Sequence, residues 1–192
     1  MSSRVFAVAG GRSLSSEFAP LVSSVCSSLV ASGASLVVGC ASGCDSFVLL
    51  SALDGAFPIS SVRCFAAFSA SGRGVLGVSA WVAVSSFASA GGSVAWASPG
   101  LLSLPVPARL ASRTALVVGA ASAGVVVFFA SPSSRGSLLA CSRALSRGLP
   151  VVAFPCGFSD GDQLPSLGAG AWVACPLFDG AFLWSPSAGS LF

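Results

Sequence analysis

The stretch GCASGCDSF (39–47) carries Asp45, the only acidic side chain between Glu17 and Asp54 in a chain with six acids. A carboxylate among glycines and serines, just after the apolar run SLVV (35–38), can cap a helix, orient a cation, or serve as an acid or base. Two other turns share this make-up: GGRS (10–13) after the first apolar run, and SPSSRGS (131–137) after VVVFFA (125–130). Glycine lets the backbone approach a ligand closely, while helix-start N–H groups and serine hydroxyls suit phosphate oxygens. The candidate phosphate-binding residues are therefore Gly10, Gly11, Arg12 and Ser13 in the first turn. Ser42, Gly43 and Asp45 follow in the second, and Ser134, Arg135, Gly136 and Ser137 in the third.

Much other chemistry is excluded by residue type. The chain has no Lys, His, Tyr or Asn, and Met1, Ile59, Thr114 and Gln163 are each the sole residue of their kind. All these residues have codons with adenine at the first or second position, so a gene skewed against adenine accounts for the absences and for the excess of Ser and Ala. Even so, the chain has no imidazole base, no lysine nucleophile and no phenolic acid. The seven cysteines (26, 40, 44, 64, 141, 156 and 175) form no C-x-x-C pair and have no histidine helpers, which argues against zinc and against a complete disulfide framework. They read as reduced, buried thiols of a cytoplasmic protein. Cys44 stands apart, because a thiol at a helix N-terminus can be activated as a nucleophile; the competing reading is a small turn-packing residue. No metal and no cofactor is expected. With a net charge of +3 but only 8% charged residues, attraction to polyanions must come from a few placed arginines.

These turns need elements to hold them. Strands are expected at VFAVAG (5–10), SLVVG (35–39), VRCFAAF (62–68), SVAWAS (93–98), VVVFFA (125–130) and PVVAFP (150–155), with WVACPL (172–177) as a last short strand. Helices are expected at 15–32, 44–54, 76–89, 107–121 and 136–147. Short, fully apolar strands alternating with helices predict an α/β fold: a doubly wound, mainly parallel sheet with helices on both faces. Its ligands bind outside the carboxyl ends of the strands, where all three turns fall. At 192 residues one domain is expected, spanning 1–192, with 157–192 as a C-terminal extension of it. The mean hydropathy of +0.91 and the charge-free stretches 18–44 and 114–131 raise membrane residence as an alternative. Both stretches are broken by Gly-Ser clusters and split into a helix-like piece and a β-branched run, and the opening MSSRVFAVAGGR is too short in apolar residues for a signal peptide, so no membrane partner is expected.

The order GGR, then G-x-A-x-G-x-D (Gly39, Ala41, Gly43, Asp45), then the segment RLASRTALVVGAASAGVVVFFASPSSRGSLLACSRALSRGLPVVAFPCG (109–157), resembles the Rossmann-like domain of the DNA-processing protein A (Smf) family in the SLOG superfamily. The resemblance spans most of residues 5–157. It adds Arg113, the one residue clearly aligned with the family's R-N-R helix, as a third phosphate-pairing guanidinium, with Asp45 capping its helix and orienting a neighbouring arginine. The asparagine of that motif is missing here, and whether Arg109, one turn earlier, shares the face of Arg113 is open. The sister cytokinin-activating phosphoribohydrolases, once described as lysine decarboxylase-like, carry P-G-G-x-G-T-x-x-E. In this chain that stretch is PSSRGSLLA (132–140), and Ala140 stands where the catalytic glutamate belongs.

The expectation is a module that binds phosphates of single-stranded nucleic acid or of a small nucleotide without catalysis, with no catalytic residue assigned. The alternative is a nucleotide hydrolase using Asp45. Phe47 and Phe158 are the candidate stacking platforms, and a homodimer is expected from so apolar a surface. No role is assigned to 70–105 or to 158–192, where DGDQ (160–163) is either a surface loop or a contact to the site.

Overall fold

The first strand, β1 (Val5–Gly10), is flanked on both sides by other strands, and its composition explains why. VFAVAG has no charged side chain to keep in water, so both of its faces can be covered. The computed structural model describes residues 4–158 and 164–187. In it, β2 (Ser35–Val38), β3 (Val62–Phe65), β4 (Ser93–Ala95), β5 (Gly124–Phe129), β6 (Val151–Pro155), β7 (Gly170–Ala174) and β8 (Phe182–Pro186) join β1 in one sheet of order β4-β3-β2-β1-β5-β6-β8-β7. The first six strands are parallel, and β8 and β7 close one edge as an antiparallel pair.

Side chains that alternate along each strand feed two separate cores. Val8, Leu36, Val38, Cys64, Val126 and Phe128 face helices α1 (Ala19–Ala31), α2 (Cys44–Leu53) and α3 (Val78–Ser89). Ala7, Val37, Phe65, Val125, Val127 and Phe129 face α5 (Val106–Ala120) and α6 (Arg135–Leu145). α6 shows the pattern that fixes such packing: Ser137, Ala140, Cys141 and Ala144 are buried at helical spacing while Arg143 stays outside. Each fully buried Val, Leu or Phe contributes about 1.5–3 kcal/mol relative to an exposed one. The doubly wound, mainly parallel α/β sheet expected from the alternation is the one found.

Three departures have local causes. The helix expected over 15–32 begins as a 3-10 turn at Ser16–Phe18 and becomes α-helical from Ala19, where Pro20 fits the first turn that needs no N–H. A one-turn helix, α4 (Pro99–Leu102), caps itself through Ser98 Oγ, which accepts from the Leu101 N–H at 3.3 Å. The single last strand expected at 172–177 is instead a pair, β7 and β8, held by a Trp172–Trp184 edge contact at 5.2 Å. DGDQ (160–163) lies outside the described residues.

Among the described residues no helix is long and apolar enough to cross a membrane. The charge-free stretches 18–44 and 114–131 are each split between a helix and the strand that follows it.

Candidate functional site

Strand order reverses at β1, with β2 on one side and β5 on the other, so the loops leaving β1 and β5 diverge and leave a crevice at the carboxyl edge. A cavity of about 760 Å³ occupies it. Its lining brings together Gly10, Gly11, Arg12 and Ser13 after β1, Asp45 at the start of α2, Arg113 in α5, and Ser134, Arg135, Gly136 and Ser137 at the start of α6. Arg12 and Arg135 are exposed, whereas Arg113 is nearly enclosed. Ser42 and Gly43 are not part of the lining. Instead, Ser42 Oγ donates to the Arg12 carbonyl at 3.3 Å, and Gly43, at φ 73°, turns the chain into α2 against the Gly11 and Arg12 carbonyls, in a conformation that other residues adopt at a cost. These two residues fasten the second turn to the first.

The floor is an ion pair. Arg113 Nη1 donates to Asp45 Oδ2 at 2.8 Å, and the same oxygen accepts from the Ala41 N–H at 2.9 Å. Burial by itself lowers the guanidinium's pKa, but the Asp45 charge and hydrogen bond more than offset it, so Arg113 is held charged. A Cβ added at Gly39 would land on Arg113 Nη1, so only glycine leaves the guanidinium its seat. Arg113 Nε, by contrast, has no partner.

One turn earlier, Arg109 is buried, but it turns away from the cavity and donates to the Gly74 carbonyl at 2.9 Å, clamping the loop between β3 and α3. That assigns part of 70–105 a structural task that the sequence did not disclose.

At α6 the chain offers unpaired donors. No side chain caps this end, and the first helical N–H groups have no partner inside a helix. Ser137 is 1% exposed, and its Oγ has no hydrogen-bond partner. A buried hydroxyl without a partner is costly, so its position on the cavity wall is that of a group awaiting a ligand. Ala140, at the position of the hydrolases' glutamate, also lines the cavity and is fully buried. The lining also has an apolar part, Val106, Pro107 and Leu110 of α5 and Leu139 of α6, residues with no feature in the sequence that connects them with a site.

Cys44 is the small turn-packing residue of the two readings: it is fully buried beside Gly10, and desolvation together with the neighbouring Asp45 charge pushes its thiol well above its ordinary range, the opposite of an activated nucleophile. Of the aromatic candidates, Phe47 is half-buried against the first core. Phe158 packs on the second core and lines an adjoining cavity of about 520 Å³ with Phe18, Glu17 and Ser13. Ser13 borders both cavities.

No protein-family model matches the sequence, and no curated protein matches it. Solved structures do. DNA processing protein A from Helicobacter pylori, described for its single-stranded DNA binding mode, superposes with a TM-score of 0.59 at 16% identity, over 80% of this chain and 66% of that one. DNA processing protein A from Streptococcus pneumoniae gives 0.61 at 23% identity, over 80% of this chain and 50% of that one. The chain thus spans about two thirds of the one protein and half of the other. With its reversal at β1 and its cavity at the carboxyl edge, this chain has the Rossmann-like fold of DNA processing protein A.

Proposed function

We propose that the cavity binds phosphate of a single-stranded nucleic acid or of a nucleotide, and that it performs no chemistry on it. The observation that carries this reading is the convergence of Arg12, Arg113 and Arg135, from three distant parts of the chain, on one cavity with an uncapped helix N-terminus. The single-stranded DNA binding of the Helicobacter pylori protein with the same fold supports nucleic acid as the ligand. Against catalysis, the Asp45 carboxylate is engaged by Arg113 and the Ala41 N–H, and Ala140 supplies no acid. The same reading places the protein in the cytoplasm, in keeping with seven free cysteines. It also pairs the chain with a second copy, in keeping with exposed Leu76, Val78 and Val82.

Titration of a labelled oligothymidylate at several salt concentrations tests the proposal. Binding is expected to weaken with salt, with the log–log slope falling by about 0.7 for each of Arg12→Ala and Arg135→Ala. These two positions are exposed, so the variants keep their fold. Absence of binding at low salt to both oligonucleotide and mononucleotide would sink the reading, and release of free base from AMP or CMP would replace it with the hydrolase.

A further inference from the structure

We propose that the cavity selects a terminal phosphate monoester, the dianion of a nucleoside 5′-monophosphate or of a 5′-phosphorylated strand end, over the internal diester of a strand. The inference rests on the phosphate-binding reading above and goes further by naming the class of phosphate.

Charge is the first argument. Three guanidiniums and one carboxylate line the cavity, and Asp45 is already committed to Arg113, which leaves the exposed Arg12 and Arg135 to be neutralised. The positive end of the α6 dipole adds to them. Among the described residues neither of these two arginines has an acidic partner, and two such cations suit a ligand with two charges, whereas a diester brings one.

Donor supply is the second. A monoester presents three terminal oxygens and a diester two. Among the described residues the cavity's surroundings hold donors without partners: the Ser137 hydroxyl, Arg113 Nε, and the uncapped first N–H groups of α6. Ser137 is almost completely buried and lines the cavity, so its unpartnered hydroxyl is placed to donate to a ligand held there. A terminal phosphate can enter end-on, while a diester must carry chain away from phosphorus in two directions.

The wall is the third. Val106, Pro107, Leu110 and Leu139 line the same cavity of about 760 Å³ as the arginines. Pockets for small ligands typically enclose about 300–1,000 Å³ and are mostly apolar with a few convergent polar groups. A nucleoside can lie on this wall while its phosphate occupies the arginine end.

The experiment compares two short oligothymidylates with equal numbers of phosphates, one with a 5′-phosphate and one with a 5′-hydroxyl, alongside TMP and thymidine. At pH 7.5 the 5′-phosphorylated strand is expected to bind about tenfold or more tightly, and TMP is expected to bind where thymidine does not. The second ionisation of a phosphate monoester lies near pH 6. The chain has no histidine, and the charged groups facing the ligand are Arg12 from the β1 loop, Asp45 from α2, Arg113 from α5 and Arg135 from α6. With no imidazole to titrate, the preference is expected to follow the ligand and to collapse at pH 5. Ser137→Ala, a change a helix tolerates, is expected to cut the preference severalfold. Equal affinity for both strands overturns the proposal and leaves phosphate binding standing. A preference unchanged by pH and by Ser137→Ala overturns it too, because the terminal phosphate would then lie elsewhere. If no phosphate compound binds, both readings fall together.

Discussion

Asp45 and Arg113 show how much of the site depends on one buried pair. The carboxylate is 4% exposed, so removing its guanidinium leaves a charge with only the Ala41 N–H to answer it. Breaking such a pair from one side costs about 3–5 kcal/mol, far more than the pair contributes intact. Arg113→Ala is therefore expected to unfold at markedly lower urea, and loss of binding in that variant would not by itself prove contact with ligand. Gly39→Ala is expected to do nearly the same without touching either charge, since the new methyl occupies the place of Arg113 Nη1. The check is a urea midpoint for each variant, and a Gly39→Ala protein as stable as the parent would refute the account. Asp45 and Gly39 both stand out in the sequence as parts of a turn. That the turn is a seat for an arginine far down the chain could not be read, because spacing reports neighbours along a helix or strand and not partners across a sheet edge.

The elements were more legible than their partners. Apolar runs of four to six residues separated by helical segments announce a parallel sheet because strands covered on both faces cannot carry charge. The parallel strands, and the helices between them, fall where the runs do. β8 escaped because FLWSP, set between β6 and the edge strand β7, ends in two exposed residues, a serine and a proline, and so does not read as one of the apolar runs. Arg109 was ambiguous for a different reason: one turn before Arg113, its face was left open by the sequence, and only the fold shows Gly74 opposite it. Arg109→Met is expected to free that loop, with faster proteolytic cleavage around 69–77 and a stability loss of about 1–3 kcal/mol, while phosphate binding persists. In the first core, Phe128 and Phe154 stack at 4.8 Å with rings 9° apart, and Phe128→Ala is expected to cost about 3–5 kcal/mol in a denaturant titration.

At the scale of the molecule, the narrow alphabet leaves a titration signature. Burial raises the thiols of Cys26, Cys141 and Cys156 from 9.0 to about 12, and those of Cys40, Cys44 and Cys64 rise as well. In the unfolded chain the thiols ionise near their ordinary value, so above about pH 9 the unfolded state binds fewer protons than the folded one, and stability falls as pH rises. It is intact below pH 9 and lost progressively towards pH 12, at about 1.4 kcal/mol per pH unit for each thiol ionised only when unfolded. No lysine or tyrosine is present to titrate in the same range. Urea midpoints under reducing conditions are expected to drop steeply as pH rises from about 9 towards 11, and an unchanged midpoint would show the thiols to be wetter than the structure has them.

The place of β1 in the sheet has a consequence for synthesis. One of its neighbours, β2, emerges soon after it, but the other, β5, is made only after β2, β3 and β4 and the helices between them. Until then an apolar strand, destined for the centre, has a bare row of N–H and C=O groups on one side. That interval is when the nascent protein is most open to pairing with the wrong strand.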